Sequence, residues 1–382
     1  MAALDRNNMT VRERYIANVL FEKTDRVPYF PGRARRSTLA NWHKQGLPED
    51  VEWYPYLTEQ LGVECQWLYS EINTGVNARM IPEFKEKIIE QKEGSRIVQD
   101  WKGNICEISS EFDVTDLSNP VDFVTRKWIK CPVESWQDWE KMKKRYDPSE
   151  PDRFPEDYGE RCRILNNQDR VVSFFFSGPF FQLREWLGFE GLCLAFVDAP
   201  ELVKDMIRFY TEFISSLLER ILRSVRLDYV HVSEDMAYKN KTMISPEMIG
   251  EFILPTWIQW GEIVHSARCP IYDVDSDGYV GELVPIWIEA GFQINDPVEV
   301  AAGSDVVAFK KQFGKKMAYL GGVDKRAMAR GGDTIKSALE RLKPAIDSGA
   351  YIPSCDHGIP NDVSWPNMLE YSRLLAELTG WL

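Results

Sequence analysis

Strand-like and helix-like segments alternate through the second half of the chain, and this alternation constrains the fold more than any other feature. Short apolar stretches recur from residue 171 onwards, and stretches with apolar residues at helical spacing separate them. The predicted strands cover residues 171–176, 228–232, 270–274, 292–295, 317–320 and 351–353. Strands separated by helices favour a parallel sheet. Two further candidates, residues 26–30 and 63–67, bring the number to eight, so we predict an α/β fold of the (β/α)8 TIM barrel type.

Local signals place several helices between these strands. Thr10-Val-Arg-Glu13 has the pattern of a capping box and predicts a first helix directly after Thr10. Ser245-Pro246 combines an N-cap residue with proline at the first helical position. Apolar residues at helical spacing predict one continuous helix over residues 334–347, ended by Gly349.

Residues 83–155 differ from the rest of the chain. Four short segments alternate as strands do, and Glu93-Gly94 and Lys102-Gly103 are typical turn sequences between them. A polar, proline-containing stretch over residues 147–155 follows. We interpret residues 83–155 as a β-rich N-terminal excursion and linker inserted into a single barrel domain that spans residues 1–382.

Charge and composition exclude several classes of function. The net charge of −13 argues against a nucleic-acid partner, since phosphates are held by Lys and Arg. No run approaches the ~18 apolar residues that a membrane helix needs, and the N-terminus lacks a signal-peptide core. The seven cysteines are scattered without a CxxC pair, which is typical of reduced thiols. We therefore expect a cytoplasmic protein with no membrane contact.

Reactive side chains follow the predicted strands, and in a barrel these positions converge on the catalytic face. Asp273, Asp275 and Asp277 place three carboxylates within five residues, and these repel one another unless a cation or a shared proton offsets them. These acids, with a histidine and a cysteine after the last strand, are candidate metal ligands, and zinc accepts all three residue types. The predicted ligands are Asp275, Asp277, His357 and Cys355. The same groups also suit general acid and base catalysis without a metal, and capping or structural roles compete with both.

Two further residues after the strand 228–232 are candidates for catalysis, and an aromatic stretch is a candidate for substrate binding. His231 and Glu234 are the predicted catalytic groups, together with Asp277. His231 lies within an apolar strand, so a structural role is an equal alternative. Phe176 and Phe180 are predicted to line a flat pocket for an aromatic ring, with core packing as the alternative.

Six short motifs follow one another in an order that is similar to that of a known family. They are Arg26-Val-Pro28, Phe176-Ser-Gly-Pro179, Ile244-Ser-Pro-Glu-Met248, Asp277-Gly278, Gly321-Gly-Val-Asp324 and His357-Gly-Ile-Pro360 with Val363-Ser-Trp-Pro-Asn367. With them, the whole chain resembles the uroporphyrinogen decarboxylase superfamily, which includes zinc-dependent corrinoid methyltransferases. The resemblance implies the barrel fold and a homodimer.

Departures from the family pattern indicate which activity to expect. True uroporphyrinogen decarboxylases carry Met-Arg-Gln-Ala-Gly-Arg-Tyr after the first strand, with two arginines for substrate carboxylates. Here Arg33 matches the first arginine as a substrate-binding residue, but Ser37 replaces the second and Arg36 is displaced. The corrinoid methyltransferases bind zinc through His-x-Cys-Gly and Cys-Gly-Ile, where this chain has Asp275-Ser-Asp-Gly278 and His357-Gly-Ile359.

A carboxylate and imidazole site is harder than a thiolate site and suits the cleavage of an ether better than the activation of a thiol. The resemblance therefore implies an O-demethylase component that moves a methyl group from a methoxylated aromatic compound to cob(I)alamin. Zinc, Glu234 or Asp277 would stabilise the departing phenolate. The chain lacks Asp-x-His-x-x-Gly, so a separate corrinoid carrier protein is the expected partner.

Two other readings remain open. A decarboxylase of a small carboxylated substrate or tetrapyrrole would use Arg33 as its carboxylate anchor. A non-catalytic protein that binds a corrinoid or tetrapyrrole would not need a cluster of acids opposite His357.

Overall fold

Two β-sheets organise the protein in a computed structural model that describes residues 8–66, 74–119, 122 and 124–382. An antiparallel sheet has the order β1-β2-β3-β4, and a parallel sheet has the order β10-β9-β8-β7-β6-β5. In the described part of the chain the strands are β1 Lys87–Gln91, β2 Ser95–Gln99, β3 Ile105–Ser109, β4 Arg126–Lys130, β5 Ser173–Ser177, β6 Tyr229–Ser233, β7 Ile271–Asp275, β8 Ile294–Val298, β9 Ala318–Val323 and β10 Tyr351–Cys355. Each strand of the parallel sheet pairs with the next one in the chain, as helical crossovers require.

Helices precede, connect and follow these strands. Over the described residues they are α1 Val11–Val19, α2 Arg36–His43, α3 Trp53–Leu61, α4 Trp136–Lys143, α5 Tyr158–Asn166, α6 Pro179–Leu187, α7 Phe189–Asp198, α8 Pro200–Ser224, α9 Pro246–Met248, α10 Leu254–Ser266, α11 Val284–Ala290, α12 Val306–Phe313, α13 Lys325–Arg330, α14 Asp333–Glu340, α15 Lys343–Asp347 and α16 Trp365–Thr379. A π-helical segment over Ile249–Ile253 joins α9 to α10. The capping box predicted at Thr10 is present, with Thr10 Oγ1 accepting from the Glu13 N–H at 3.2 Å. No helix in the described ranges is long and apolar enough to span a bilayer.

The two faces of the parallel sheet differ in what covers them. One face packs against the surrounding helices in the large hydrophobic core. On the other face, the first halves of the strands contribute Tyr229, Ile271 and Ile294 to a small apolar cluster that Tyr15 and Val19 of α1 complete. Side chains two positions further along a strand lie on the same face. The polar residues that follow at this spacing therefore form a layer directly above the small apolar cluster.

The structure confirms an α/β protein with a parallel sheet, and its described residues form six of the eight predicted strands. Residues 26–30 form no strand. Hydrogen bonds to the end of β10 begin only at Pro31, whose carbonyl accepts from Cys355 N at 3.3 Å, and Gly32 interrupts the extended backbone at φ +128°. Residues 63–66 also form no strand, and Trp67 lies outside the described residues.

Two other predictions are refined by the structure. The predicted helix over residues 334–347 is divided into α14 and α15, because Pro344 has no N–H for the carbonyl of Glu340. The β-rich excursion is a small antiparallel sheet, β1 to β4, as the alternating segments predicted.

Candidate active site

A cavity of about 300 Å³ lies at the C-terminal ends of the parallel strands, and we call it the mouth cavity. Its walls come from the ends of β6, β7, β8 and β10 and from the loop that precedes α2. Its polar lining consists of Arg33, Ser233, Asp235, Asp275, Asp277, Asp296, Ser354, Cys355 and His357. The prediction that side chains near residue 275 face those near residue 357 matches this geometry, since parallel strands end at one edge of the sheet.

Asp277 and His357 approach each other across the mouth cavity, with Oδ2 and Nε2 3.2 Å apart. The backbone directly after Asp277 is held tightly. Gly278 has φ +91°, and a Cβ there would lie 2.5 Å from the carbonyl oxygen of Ala237. The N–H of Gly278 donates to Glu299 Oε2 at 3.0 Å. This close backbone approach fixes the position of Asp277 and explains why a glycine follows it.

Arg35 contacts the other ring nitrogen of His357. Its Nη2 lies 3.3 Å from His357 Nδ1, and its Nη1 donates to Asp122 at 2.8 Å. Because a guanidinium only donates, this contact is a hydrogen bond only in the neutral ring, whose Nδ1 accepts and whose Nε2–H faces Asp277. In the imidazolium form the same contact is repulsive. The hydrogen bond to Asp277 favours a second proton on the ring and Arg35 opposes it. The net result is a raised pKa for His357. Burial alone would raise the pKa of Asp277, but His357 lowers it.

Beneath the mouth cavity lies a second polar group, His231, Asp273 and Asp296, which we call the inner cluster. His231 Nδ1 lies 2.6 Å from Asp273 Oδ2 and 3.9 Å from Asp296 Oδ1. Burial opposes the imidazolium, but the Asp273 carboxylate outweighs it and raises the pKa of His231 to about 9. Burial and repulsion from Asp273 raise the pKa of Asp296 to about 7. The inner cluster is therefore crowded with negative charge.

Asp275 lies between the inner cluster and the mouth cavity. Its Oδ2 is 3.9 Å from His231 Nε2, and it is the register partner of Asp296 across β7 and β8. Burial and then repulsion from Asp296 raise its pKa well above the ordinary value. Two carboxyl groups that face each other on neighbouring strands, as in Asp275 and Asp296, do not both ionise readily.

Glu234, a predicted catalytic residue, does not reach the mouth cavity. It is fully buried, and its Oε1 accepts from Trp257 Nε1 at 2.7 Å while its Oε2 accepts from the Phe181 N–H at 3.2 Å. Phe181 lies in the first turn of α6, where carboxylates are favoured by the helix dipole. Burial raises the pKa of Glu234 to about 8. The structure thus gives Glu234 a structural position that fixes the start of α6.

A second cavity of about 560 Å³ adjoins the mouth cavity and shares Phe181 and Ser233 with it. We call it the aromatic cavity, because its lining includes Trp101, Tyr146, Phe175, Phe176, Phe181, Trp186 and Tyr210. Of the two predicted substrate-binding residues, Phe180 is fully buried in the core. Phe176 borders the cavity but is almost wholly buried, with its ring 5.1 Å from that of Trp260.

Phe175, which the sequence did not single out, is the most exposed of the three β5 phenylalanines that line the cavity. Its side chain is 59% exposed, and its ring lies 5.1 Å from the ring of His231. Alternation along β5 places the buried Phe174 and Phe176 on one face of the sheet and the exposed Phe175 on the other. In a run of three phenylalanines the sequence does not show which one faces inward. The strand register does.

The four predicted metal ligands do not form a preformed group. In the described ranges, the group of three or more metal-ligating side chains that comes together is the inner cluster. At the mouth, both ring nitrogens of His357 are engaged by Asp277 and Arg35, and Asp275 faces His231. Cys355 is buried, and burial raises the pKa of its thiol to about 12. The residues at the mouth therefore do not form a preformed zinc site of the kind that the resemblance implies.

Arg33 lies where the sequence predicted it, in the lining of the mouth cavity. Its guanidinium carbon is 6.0 Å from the centre of the Phe30 ring, and its charge lowers the pKa of Asp296. Ser37, which stands in place of the second family arginine, donates instead to Asp122 at 2.5 Å.

Comparison with known proteins gives a family match and distant structural relatives. The model of the uroporphyrinogen decarboxylase family matches residues 116–377, more than half of the chain. A methyltransferase from Methanosarcina mazei has a similar fold, with a TM-score of 0.58, 13% identity and coverage of 98% of this chain and 99% of that chain. A B12-independent methionine synthase from Shewanella sp. W3-18-1 is less similar, with a TM-score of 0.43, 12% identity and coverage of 86% and 84%. No curated protein matches the chain.

Proposed function

The chain belongs to the uroporphyrinogen decarboxylase family, and we propose that it is an O-demethylating methyltransferase of that family. Its substrate in this proposal is a methoxylated aromatic compound. The methyl group passes to cob(I)alamin held by a separate corrinoid protein. The structural relative from Methanosarcina mazei, a methyltransferase by name, is consistent with methyl transfer.

The observation that carries the proposal is the position of the Asp277–His357 pair beside the aromatic cavity. The mouth cavity offers an acid, and the adjoining aromatic cavity offers ring-stacking surfaces such as Phe175 and Phe181. A substrate ring placed in the aromatic cavity would direct its methoxy group towards Ser233, which lines both cavities.

The reaction breaks the bond between the methyl carbon and the ether oxygen. The methyl group leaves without the bonding electron pair, which stays on the oxygen as a phenolate. His357 donates a proton to this oxygen as the bond breaks, since Asp277 raises the pKa of the imidazole and so favours the imidazolium. The electron pair of the new bond to the methyl group comes from the acceptor, and His357 regains its proton from water. The products are therefore a phenol and a methylated acceptor, and charge and atoms balance.

No step in this scheme uses zinc, because the mouth residues do not form a preformed site for it. The acid at the leaving oxygen performs the task that a Lewis acid would otherwise perform. Asp235 also lines the mouth cavity and is held by Arg184 at 2.9 Å.

We also propose that the parallel sheet is part of a closed barrel. Residues 31–35 lie against the end of β10, with Ile359 N donating to the Arg33 carbonyl at 2.8 Å and a parallel bridge between Ala34 and Ile359. In a closed barrel this segment would occupy the position of the first strand. A single barrel domain with the antiparallel sheet as its insertion, and a homodimeric state, remain predictions.

The second candidate is a decarboxylase of a small carboxylated substrate, and the position of Arg33 in the mouth cavity favours it. A single arginine would hold one carboxylate. Since Ser37 is bound to Asp122, no second cation takes the family position here.

The proposal is tested by incubating the purified protein with cob(I)alamin and methoxybenzoates under anaerobic conditions. Methylcobalamin and the matching phenol should form in equal amounts. His357→Gln should reduce the rate by about 100-fold or more, as expected for loss of a general acid. His265→Gln is the matched control, because His265 is exposed on α10. Full activity of the His357→Gln variant would refute the proposal.

A further inference from the structure

The inner cluster joins three side chains from three neighbouring strands at one point. His231 and Asp273 are register partners across β6 and β7, and Asp296 stands two residues after Ile294, the partner of Asp273 on β8. One ligand-capable atom from each of the three residues lies within 4.8 Å of the other two. Ligands at ~2.0–2.2 Å from one ion lie at most about 4.4 Å apart, so the three side chains need to approach only slightly to hold an ion.

Two carboxylate oxygens in the inner cluster lack a partner. The Asp273 side chain is only 6% exposed, and its Oδ1 has no hydrogen-bond partner. Asp296 Oδ1 is also inaccessible and without a hydrogen bond, 3.9 Å from His231 Nδ1. Leaving a buried carboxylate oxygen unsatisfied costs more free energy than leaving a neutral group unsatisfied. An ion between these atoms would satisfy both oxygens and offset the repulsion between the acids.

We propose that the inner cluster is a binding site for a divalent transition-metal ion such as Mn²⁺ or Zn²⁺, with His231, Asp273 and Asp296 as its ligands. One imidazole and two carboxylates form a donor set suited to these ions and not to soft, thiolate-seeking ones. The site lies one layer below Asp277 and His357, the positions that match the family's zinc motif. It does not depend on the proposed methyl transfer.

The ion would complete the floor of the mouth cavity. Asp296 is both a member of the inner cluster and part of the cavity lining, so coordination positions that the protein does not fill would face the cavity. Binding requires the proton between His231 and Asp273 to leave, because a ligating imidazole nitrogen carries none. Metal binding should therefore release protons and weaken as the pH falls.

The direct test is a titration of chelator-treated protein with Mn²⁺. Binding is measured by the loss of the electron paramagnetic resonance signal of free Mn²⁺. We expect one bound ion per chain, displaced by Zn²⁺. Asp273→Asn and Asp296→Asn should each weaken binding by at least about tenfold. Asp277→Asn, a matched substitution at the mouth, should leave it unchanged. Thermal unfolding with and without Mn²⁺ checks that each variant is folded, and only proteins with an intact inner cluster should gain stability from the ion.

Two results would overturn the proposal. One is the absence of bound Mn²⁺ and Zn²⁺ at millimolar concentration in the folded protein. The other is binding that Asp277→Asn abolishes and the inner-cluster variants leave intact, which would place the ion at the mouth. Neither result bears on methyl transfer, which the cob(I)alamin assay measures separately.

Discussion

Replacing Asp277 by Asn should lower the pKa of His357, and the structure gives the size of the effect. The two charged atoms are 3.2 Å apart. Their Coulomb attraction is about 1.3 kcal/mol at the dielectric constant of water and about 5 kcal/mol at an effective value near 20. The side chains are 30% and 37% exposed, so solvent screening brings the energy towards the lower figure. Since one pH unit corresponds to ~1.4 kcal/mol, we expect a fall of about one to two units.

The assay is a pH titration of the histidine ring signals by nuclear magnetic resonance after selective labelling. The chain has four histidines, and His357→Gln identifies the signal of interest by its loss. Asp324→Asn is the matched control, because Asp324 pairs with Arg326. An unchanged pKa of His357 in the Asp277→Asn variant would show that the pair does not control the protonation of the imidazole. The proposed acid would then lose its physical basis.

Three further predictions follow from other parts of the site. Burial raises the pKa of Glu234 to about 8, so the unfolded chain loses this proton at a lower pH than the folded protein does. The free energy of unfolding should therefore fall as the pH rises from about 5 to 8. Chemical denaturation at several pH values should show that this fall is smaller by a few kcal/mol in the Glu234→Gln variant. Parallel plots of unfolding free energy against pH for the two proteins would contradict the prediction. Arg33→Ala should leave most of the methyl transfer, and release of carbon dioxide by the wild-type protein that this variant abolishes would favour the second candidate. Phe175→Ala should raise KM for the aromatic substrate about fivefold with little change in kcat or thermal stability, because the exposed ring contributes ~1 kcal/mol of stacking. An unchanged KM would remove the aromatic ring from that position.

The sequence predicted the convergence of the site because that convergence depends on topology alone. Parallel strands end at a common edge, so residues after the strands near 271–275 and 351–355 had to approach each other. The pairing of Asp277 with His357 illustrates this.

Strand ends and side-chain direction could not be predicted so well. Strand β7 extends to Asp275 and β8 begins at Ile294, so Asp273 and Asp296 face inward from within strands. The sequence predicted neither Asp273 nor Asp296 as a ligand, and it left His231 undecided between two roles. The inner cluster appears only when the register of three strands is known.

Glu234 shows a different limit. Its position after a strand is the position of a catalytic acid in many barrels. Whether the carboxylate points to the cavity or to the start of α6 is decided by Trp257 and by the Phe181 N–H, which lie 23 and 53 residues away in the chain. Such long-range contacts leave no local pattern in the sequence.

The most direct test of the central claim is a single-turnover assay with a methoxybenzoate labelled with ¹³C in its methyl group and an excess of cob(I)alamin. The account predicts that the label appears in methylcobalamin and that one phenol is released for each methyl group transferred, with His357→Gln slowed about 100-fold or more. Label that stays in the methoxybenzoate, with carbon dioxide released from a carboxylated substrate instead, would contradict the account.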